Sequence, residues 1–344
     1  MRTQARVLGV RVLGALLVAA LIPLALLMAA SGCSRWGAVE LAALFVLGLS
    51  LASAWRRRRA LAIGAAIALA AIALLRLART SANDRVGLRE LRVLDALVDE
   101  EDVSRAATTA LPLTGFGKDP DVPKLAGAMK DGYARMRADA GDVGSPFVAT
   151  YLGLESPDRF DTIAIGDDGP DTVLVFLHGF AGSFTLPCWQ VAESVRDLGV
   201  RTVCPATGMR GDWWSADGER TLRATLDAER ARGARHFLLA GLSNGGIGAS
   251  LLAPRMRGSF EALVCISGAD PTAPPAGVPT LVVQGTADSM VATASVESYA
   301  SRAGARRATF SAGHFVLLVE HERVARAMHD FVRGVITPRP MARR

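Results

Sequence analysis

Short apolar runs alternate with helical patterns between residues 146 and 337, and this alternation limits the fold more than any other feature of the chain. Residues 172–177 and 236–240 are apolar at nearly every position, as in strands that are buried on both faces of a parallel sheet. Further strands are predicted at residues 201–204, 262–266, 280–284 and 307–310. The alternation predicts a mostly parallel, doubly wound sheet of the α/β class. Residues 147–154 and 161–165 predict a hairpin that opens this sheet.

One sharp turn, Gly241-Leu242-Ser243-Asn244-Gly245, joins a predicted strand to a predicted helix. In this strand–turn–helix context, a G-x-S-x-G sequence holds its serine in a strained backbone conformation, which requires small residues on both sides. The serine oxygen then stands exposed at the sheet edge, above a helix N-terminus. The context therefore predicts Ser243 as a nucleophile, whereas the string alone is also typical of an ordinary glycine-rich turn.

A serine hydroxyl needs a base to become a nucleophile, and histidine has the suitable pKa near neutral pH. The chain has five histidines. His178 follows a strand and is assigned a structural role in its loop, while His236 begins a strand at the opposite sheet edge. His321 and His329 lie on the last predicted helix, as surface groups. His314 follows the last predicted strand, in a loop that can reach the predicted nucleophile, and is therefore the predicted base.

Residues 146–336 resemble the α/β-hydrolase family through four motifs: Leu177-His178-Gly179-Phe180, Gly241-Leu242-Ser243-Asn244-Gly245, Gly285-Thr286-Ala287-Asp288 and Gly313-His314. The motifs stand in the family's order, with the serine before the acid and the acid before the histidine. The resemblance implies an α/β-hydrolase fold, a Ser-His-Asp triad, and no metal or organic cofactor. Asp288, four residues past the strand at 280–284, is the predicted acid that orients His314. Asp270 is the alternative, because some members of the family use that position.

An oxyanion intermediate needs two backbone N–H donors. The residue after the nucleophile, Asn244, is predicted to supply one donor. The loop after the strand at 172–177 supplies the other, from Phe180 or alternatively Ala181. Gly179 and Gly182 give this loop the freedom to approach the nucleophile.

The substrate pocket is predicted from weaker signals. Trp213 and Trp214 follow the strand at 201–204, at the catalytic edge, and are interpreted as the lining of an acyl or leaving-group pocket. The alternatives are a core anchor or a lipid-facing loop. Only about eleven residues, 269–279, separate two successive strands, so there is no room for a large cap insertion. An open site of this kind suits small-molecule or lipid esters.

Four cysteines are too few for a disulfide framework, and their spacing does not match a metal site. Cys188 and Cys204 are both expected near the same sheet edge, so they either form a disulfide or remain free thiols. A disulfide would favour an oxidising compartment. Cys265 is predicted to be a buried strand residue.

The net charge of +6 is unevenly distributed. Residues 1–80 contain ten arginines and one acidic residue, which leaves 29 basic and 32 acidic residues in the remainder. No basic stripe remains beyond residue 80, so nucleic-acid binding is not expected.

Residues 12–34 carry no charge and are long enough to span a bilayer as a helix. Residues 41–55 and 60–75 are two further apolar runs, separated by four arginines at 56–59. The sequence therefore predicts about three transmembrane helices. Arginines near the N-terminus and at 56–59 belong in the cytoplasm, so a third crossing would place the rest of the chain outside.

Two alternatives concern this membrane region. If the third apolar run only lies on the membrane surface, the domain that follows is cytoplasmic. Ala30-Ser31-Gly32-Cys33 loosely resembles a bacterial lipoprotein processing site, although an ordinary cysteine is the default reading.

The expected organisation is a membrane region at 1–80, a linker with two amphipathic helices at 81–145, and a catalytic domain at 146–337. The helices are predicted from apolar positions at Leu88, Leu91, Leu94 and Val98, and at Val122, Leu125, Met129, Tyr133 and Met136. The predicted function is a membrane-anchored serine hydrolase that cleaves a carboxylic ester through an acyl-enzyme. The alternatives are a peptidase or thioesterase of the same fold, or a catalytically silent, membrane-tethered binding protein. The sequence indicates no oligomeric state.

Overall fold

Three helices form the N-terminal region. The computed structural model describes residues 2–32, 34–52, 58–81, 86–89, 98–141, 143–167 and 171–336. The helices are α1 (Arg2–Ser31), α2 (Arg35–Ala52) and α3 (Arg58–Ser81). Within the described residues, Leu8–Ser31 is long and apolar enough to cross a membrane, whereas the apolar stretches Gly37–Ala52 and Ala60–Leu75 are shorter. Cys33, which carried the lipoprotein alternative, lies outside the described residues.

Helices α1 and α2 pack closely where two glycines meet the opposite helix. A methyl group at Gly14 would lie 2.4 Å from the backbone nitrogen of Ala52, and one at Gly48 would lie 2.8 Å from a methyl carbon of Val18. Small residues let two helix backbones approach each other in this way.

The region before the sheet domain contains α4 (Glu100–Ala110), two short 3₁₀ turns (Leu111–Leu113 and Gly115–Lys118) and α5 (Val122–Ala140). We call residues 98–141 the α4–α5 segment. The predicted helix at Val122–Met136 is confirmed, and its apolar face is buried at Leu125, Tyr133 and Met136.

The other predicted amphipathic helix is wrong over its first part, because Val86–Arg89 forms the strand β1. β1 pairs with a second strand, Thr162–Ile165, and this pairing overrides the helical spacing of the leucines. Leu91 and Leu94 lie outside the described residues.

The eight strands of the structure form one mixed sheet. They are β1 (Val86–Arg89), β2 (Thr162–Ile165), β3 (Thr172–Leu177), β4 (Arg201–Pro205), β5 (His236–Leu242), β6 (Ala262–Ile266), β7 (Thr280–Gly285) and β8 (Arg306–Phe310). Their order across the sheet is β1-β2-β4-β3-β5-β6-β7-β8. β1 and β2 pair antiparallel with their neighbours, and all other pairs are parallel. The predicted α/β sheet is therefore confirmed.

Helices cover both faces of the sheet. Those after β1 are α6 (Phe147–Tyr151), α7 (Thr185–Glu193), α8 (Ala216–Ala231), α9 (Asn244–Arg255), α10 (Thr293–Arg302), α11 (Val316–Val319) and α12 (His321–Ile336), in addition to α4 and α5. One core lies under α5, α7, α11 and α12, and the other under α8, α9 and α10. Leu174 of β3 joins the first core and Val175 the second. This burial on both sides explains why the central strands are continuously apolar.

The predicted opening hairpin is wrong in its first half. Residues 147–151 form α6 instead of a strand, while β2 at Thr162–Ile165 pairs with β1 and β4. Phe147 packs on the rings of Phe184 and Tyr151. Its apolar side chain is therefore buried, as expected for a strand residue, although its backbone is helical. We call residues 146–336 the sheet domain.

Candidate active site

Ser243 stands at the sharp turn between β5 and α9. Its backbone has a φ of +54°, a conformation that costs a non-glycine residue energy and persists only where its surroundings enforce it. The backbone N–H of Ser243 donates to the carbonyl of Ile266 at 2.8 Å. The two flanking glycines leave no room for a side chain, since a methyl group at Gly241 would lie 2.1 Å from the carbonyl oxygen of Gly245. Packing therefore holds the strained turn in place.

His314 lies in the loop between β8 and α11, and its ring points at Ser243. The Nε2 atom of His314 is 3.0 Å from the Oγ atom of Ser243. The Nδ1 atom is 2.9 Å from Oδ2 of Asp288 and 3.1 Å from Oδ1. Because an ionised carboxylate only accepts hydrogen bonds, Nδ1 carries the proton in neutral His314. Nε2 is thus left as the acceptor that faces the serine hydroxyl.

The carboxylate of Asp288 is fully buried and accepts several hydrogen bonds besides that of His314. Gln284 donates to Oδ2 at 2.8 Å, and the backbone amides of Met290 and Val291 each donate to Oδ1 at 2.9 Å. Burial by itself would raise the pKa of Asp288, but the hydrogen bond and charge of His314, with these two amides, outweigh it. The pKa of Asp288 is therefore lowered, and the group stays ionised at neutral pH.

Asp270, the alternative acid, has other partners. Its Oδ1 atom accepts hydrogen bonds from the backbone and hydroxyl of Thr272 and from the backbone of Ala273. Asp270 closes a local turn of the β6–β7 loop in this way, and the structure brings Asp288 to His314 instead.

Asn244 and the loop of Phe180, the predicted sources of the oxyanion donors, both lie next to Ser243. Asn244 is the first residue of α9, where backbone N–H groups have no acceptor within the helix. Phe180 follows Gly179, whose added methyl group would lie 3.1 Å from Cβ of Ser243, so this loop passes directly over the turn. Ala181 has a φ of +80°, which gives the loop its sharp bend.

The side chain of His178 holds the loop of Gly179 and Phe180 in place through hydrogen bonds. Its Nδ1 atom bonds to the carbonyl of Gly179 at 2.8 Å, and its Nε2 atom accepts from the backbone N–H of Thr207 at 3.1 Å. Burial lowers the pKa of His178 to about 4. The imidazole is therefore neutral and structural, as expected from the sequence.

Trp213 is not part of a pocket wall, which corrects the prediction for this residue. Its side chain is 0% exposed, packs on Gly248 of α9 and donates from Nε1 to the carbonyl of His178 at 2.9 Å. The core-anchor alternative therefore describes Trp213. The neighbouring Trp214 is half-buried, and its pocket role remains a prediction.

His321 also differs from expectation. It was predicted at the surface, but it is 4% exposed, lies on the ring of Trp189 and has Nε2 3.2 Å from a carboxylate oxygen of Glu193. The first turn of α12 is covered by α7, which hides this face of the helix. His329 pairs with Asp197 at the surface.

Cys188 of α7 and Cys204 of β4 form a disulfide. Cys265 of β6 is a free, buried thiol, as expected, and burial raises its pKa to about 12. In the part of the chain that the structure describes, no group of three or more His, Cys, Asp or Glu side chains is arranged to hold a metal ion.

Sequence reasoning missed three buried carboxylates of the α4–α5 segment that contact the sheet domain. Glu100 accepts from the backbone amides of Thr185 and Leu186 at the start of α7, at 2.7 and 3.0 Å. Asp119 and Asp121 accept from the loop that carries His314. Glu100 and Asp121 stand at helix starts, where acidic residues usually serve their own helix, and Asp119 ends a 3₁₀ turn. No local signal therefore reveals these long-range contacts.

Exposed apolar and aromatic side chains surround the loop at Phe180. Phe180 is 54% exposed, and its ring centroid lies 6.5 Å from that of Phe116 in the α4–α5 segment. Tyr151 lies against the position of Gly182 in the same loop. Met209 is exposed beside Arg210, whose carbonyl accepts a hydrogen bond from the side chain of Asn244. We call Phe116, Tyr151, Phe180 and Met209 the apolar rim.

No protein-family model matches the chain, and no curated protein matches it significantly. Among similar solved structures, Est1E from Butyrivibrio proteoclasticus is 18% identical with a TM-score of 0.44, covering 53% of this chain and 97% of that chain. XC6422 from Xanthomonas campestris, described as an α/β serine hydrolase without lid, is 19% identical with a TM-score of 0.44, covering 53% and 91%. The esterase Pf2001 from Pyrococcus furiosus is 14% identical with a TM-score of 0.45, covering 52% and 90%. The fold assignment rests on the strand order and pairing described above.

Proposed function

We propose that this protein is a membrane-anchored serine hydrolase that cleaves carboxylic esters or related acyl bonds. The observation that carries the proposal is the continuous chain of hydrogen bonds from Ser243 through His314 to Asp288, with distances of 3.0 and 2.9 Å. A nucleophile, a base and an orienting acid in this arrangement can perform acyl transfer without any other group.

In this mechanism, Oγ of Ser243 attacks the substrate carbonyl while Nε2 of His314 takes its proton. The backbone amides of Phe180 and Asn244 stabilise the oxyanion, and loss of one such donor typically costs about 3 kcal/mol. The imidazolium of His314, stabilised by Asp288, then gives its proton to the departing alcohol. Water attacks the acyl-enzyme by the same proton path and releases the acid.

The apolar rim and the short β6–β7 loop support an ester with an apolar acyl or alcohol group, from a small molecule or a lipid. An open site with exposed aromatic side chains leaves apolar substrate atoms in contact with protein instead of water. A panel of p-nitrophenyl esters of increasing chain length tests this preference directly. Faster cleavage of peptide or thioester substrates would replace the ester assignment with the peptidase or thioesterase alternative.

Fluorophosphonate labelling of the full-length chain in detergent tests the hydrolase proposal. The wild-type protein is expected to label and S243A is not, while H314A should label far more slowly because its serine lacks a base. S250A provides a control, since the Ser250 hydroxyl donates to the backbone carbonyl of Ile247 and accepts from the backbone N–H of Asp270 instead of contacting the triad. If the wild-type protein does not label, the silent binding protein becomes the better interpretation.

We further propose that the sheet domain lies outside the cytoplasm, at the membrane surface. The turn between α1 and α2 contacts α4, because Asp102 accepts from the backbone and hydroxyl of Ser34, each at 2.6 Å. That turn lies at the opposite end of α1 from the arginine-rich N-terminus, which belongs in the cytoplasm. The disulfide between Cys188 and Cys204 also favours an oxidising compartment.

This orientation requires α3 to return across the membrane. The helix has 24 residues and extends about 36 Å, but its apolar stretch Ala60–Leu75 is shorter than that of α1. A crossing therefore requires the arginines at both ends of α3 to extend their side chains to the lipid headgroups. A reporter enzyme that becomes active only outside the cytoplasm, fused after residue 85, is expected to be active. A cytoplasmic signal there would refute the orientation and leave the hydrolase proposal intact.

A further inference from the structure

One carboxylate joins the loop of the acid to the loop of the base. Oδ2 of Asp119 accepts from the backbone N–H of His314 at 3.0 Å. The same oxygen accepts from the backbone N–H and the hydroxyl of Ser289, at 3.3 and 3.1 Å. Ser289 directly follows Asp288, so Asp119 contacts both loops that form the Asp288–His314 hydrogen bond.

A second carboxylate extends this contact by one residue along the base loop. Oδ2 of Asp121 accepts from the backbone N–H of Phe315 at 3.1 Å. Oδ1 of Asp119 accepts from the backbone N–H of Asp121 at 3.1 Å, which fixes the two acids relative to each other. Both side chains are buried, so their geometry does not depend on flexible surface contacts.

The base loop fits tightly against these groups. A methyl group at Gly313 would lie 2.0 Å from Oδ1 of Asp119. A methyl group at Gly285, at the end of β7, would lie 2.0 Å from the carbonyl of Gly313. The loop is therefore held between β7 on one side and the carboxylate of Asp119 on the other.

Burying two acids so close together has an energetic cost. Burial and the neighbouring Asp119 raise the pKa of Asp121, against the lowering effect of the amides of Gly313 and Phe315. Apolar residues of similar size often stabilise a fold as well as buried charged groups do. The carboxylates of Asp119 and Asp121, however, accept hydrogen bonds from the backbone of His314 and Phe315. Hydrogen bonds fix the orientation of that backbone, which apolar contacts do not.

We propose that Asp119 and Asp121 are positioning residues for His314, supplied by the α4–α5 segment from outside the sheet domain. Asp288 orients the imidazole ring of His314, and the two acids set the backbone from which that ring projects. Asp119 also keeps Ser289, and with it Asp288, in register with the base. This inference rests on the proposed hydrolase function.

The test measures ester hydrolysis and thermal unfolding of full-length variants in detergent. D119A is expected to lower kcat about 10- to 100-fold, since small displacements of a catalytic group have effects of this size. KM should stay near the wild-type value, because the apolar rim and the oxyanion loop are unchanged. D119N should lose less activity than D119A, because its amide oxygen can still accept from the backbone of His314.

A control variant separates positioning from stability. Asp139 also ties the α4–α5 segment to the sheet domain, accepting from Nε1 of Trp189 at 2.7 Å and from Arg196 at 2.6 and 2.8 Å. D139A is therefore expected to lower the melting temperature and to retain kcat. Should D119A fail to fold, D119N and S289A provide the same comparison, with S289A removing one donor to Asp119 and lowering kcat several-fold.

A wild-type kcat in D119A, or in both D119N and S289A, would overturn the inference. If D139A lost as much kcat as D119A for the same fall in melting temperature, the loss would reflect stability alone and would also overturn the inference. Failure of the wild-type protein to label with fluorophosphonate would instead refute the hydrolase proposal, so the two failures are distinguishable.

Discussion

Removing the disulfide between Cys188 and Cys204 should cost the protein a definite amount of stability. The two cysteines are separated by 16 residues, and closing a loop of this length in the unfolded chain corresponds to about 3 kcal/mol in the chain-entropy description. For a domain of this size, that loss lowers the melting temperature by about 6 to 12 °C. The double variant C188A/C204A, with alanines that suit these buried positions, is therefore expected to melt lower by this amount.

Tryptophan fluorescence can follow the unfolding of the full-length protein in detergent, since Trp189 lies next to Cys188 and is buried. A reducing agent should lower the melting temperature of the wild-type protein by a similar amount and leave that of C188A/C204A unchanged. The kcat of the variant should stay within a few-fold of wild type, because the bond joins α7 to β4 and does not contact the triad.

Counting free thiols checks that the disulfide exists in the purified protein. Under denaturing conditions without a reductant, Cys33 and Cys265 should be alkylated, and four cysteines should react after reduction. If C188A/C204A melts within about 2 °C of a fully oxidised wild-type protein, the loop-entropy reasoning is refuted. If four thiols react before reduction, the disulfide is absent from the mature protein.

Two further predictions concern buried carboxylates. D288N should lower kcat about 10³- to 10⁴-fold while leaving KM nearly unchanged, because an amide no longer selects the tautomer of His314 that accepts the serine proton. Steady-state ester hydrolysis measures this effect. A loss of less than tenfold would favour another residue as the acid. For Glu100, burial raises the pKa above its usual value despite hydrogen bonds from Ser145, Thr185 and others, so its neutral form is the one favoured by folding. Its contribution to stability is therefore complete below the unfolded pKa and is lost as pH rises through the folded pKa. The melting temperature of wild type relative to E100Q should thus be highest at acid pH and should decline as pH rises; a difference that grows with pH would contradict the pKa direction.

The sheet and the proposed triad were accessible to sequence reasoning because each depends on local signals. β3 and β6 have the predicted bounds, since a strand buried on both faces is continuously apolar and ends at a turn. Ser243 and Asp288 follow such strands, His314 follows the more polar and exposed edge strand β8, and the ends of parallel strands meet at one edge of the sheet. The order of the motifs then sufficed to select them.

Features that depend on distant partners were not accessible in this way. The spacing around Leu88 fits a helix, and only pairing with β2 makes Val86–Arg89 a strand. Trp213 follows a strand end like the site residues, but the absence of a side chain at Gly248 lets it pack inward. Asp119 and His314 are 195 residues apart, and no periodicity connects them.

The contact between Asp119 and His314 also sets the order in which the site is completed during synthesis. The ribosome makes α1, α2, α3 and the α4–α5 segment first, and N-terminal regions generally begin to fold before the remainder of the chain emerges. The carboxylate of Glu100 can bind the amides of α7 once the middle of the chain has been synthesised. The carboxylates of Asp119 and Asp121 receive their hydrogen bonds from the base loop only after residue 315 has been synthesised. A prematurely terminated chain that ends before His314 thus lacks the hydrogen-bond donors of Asp119 and Asp121. It also lacks the proposed base for Ser243. Such a fragment is expected to be both inactive and a substrate for quality-control proteolysis.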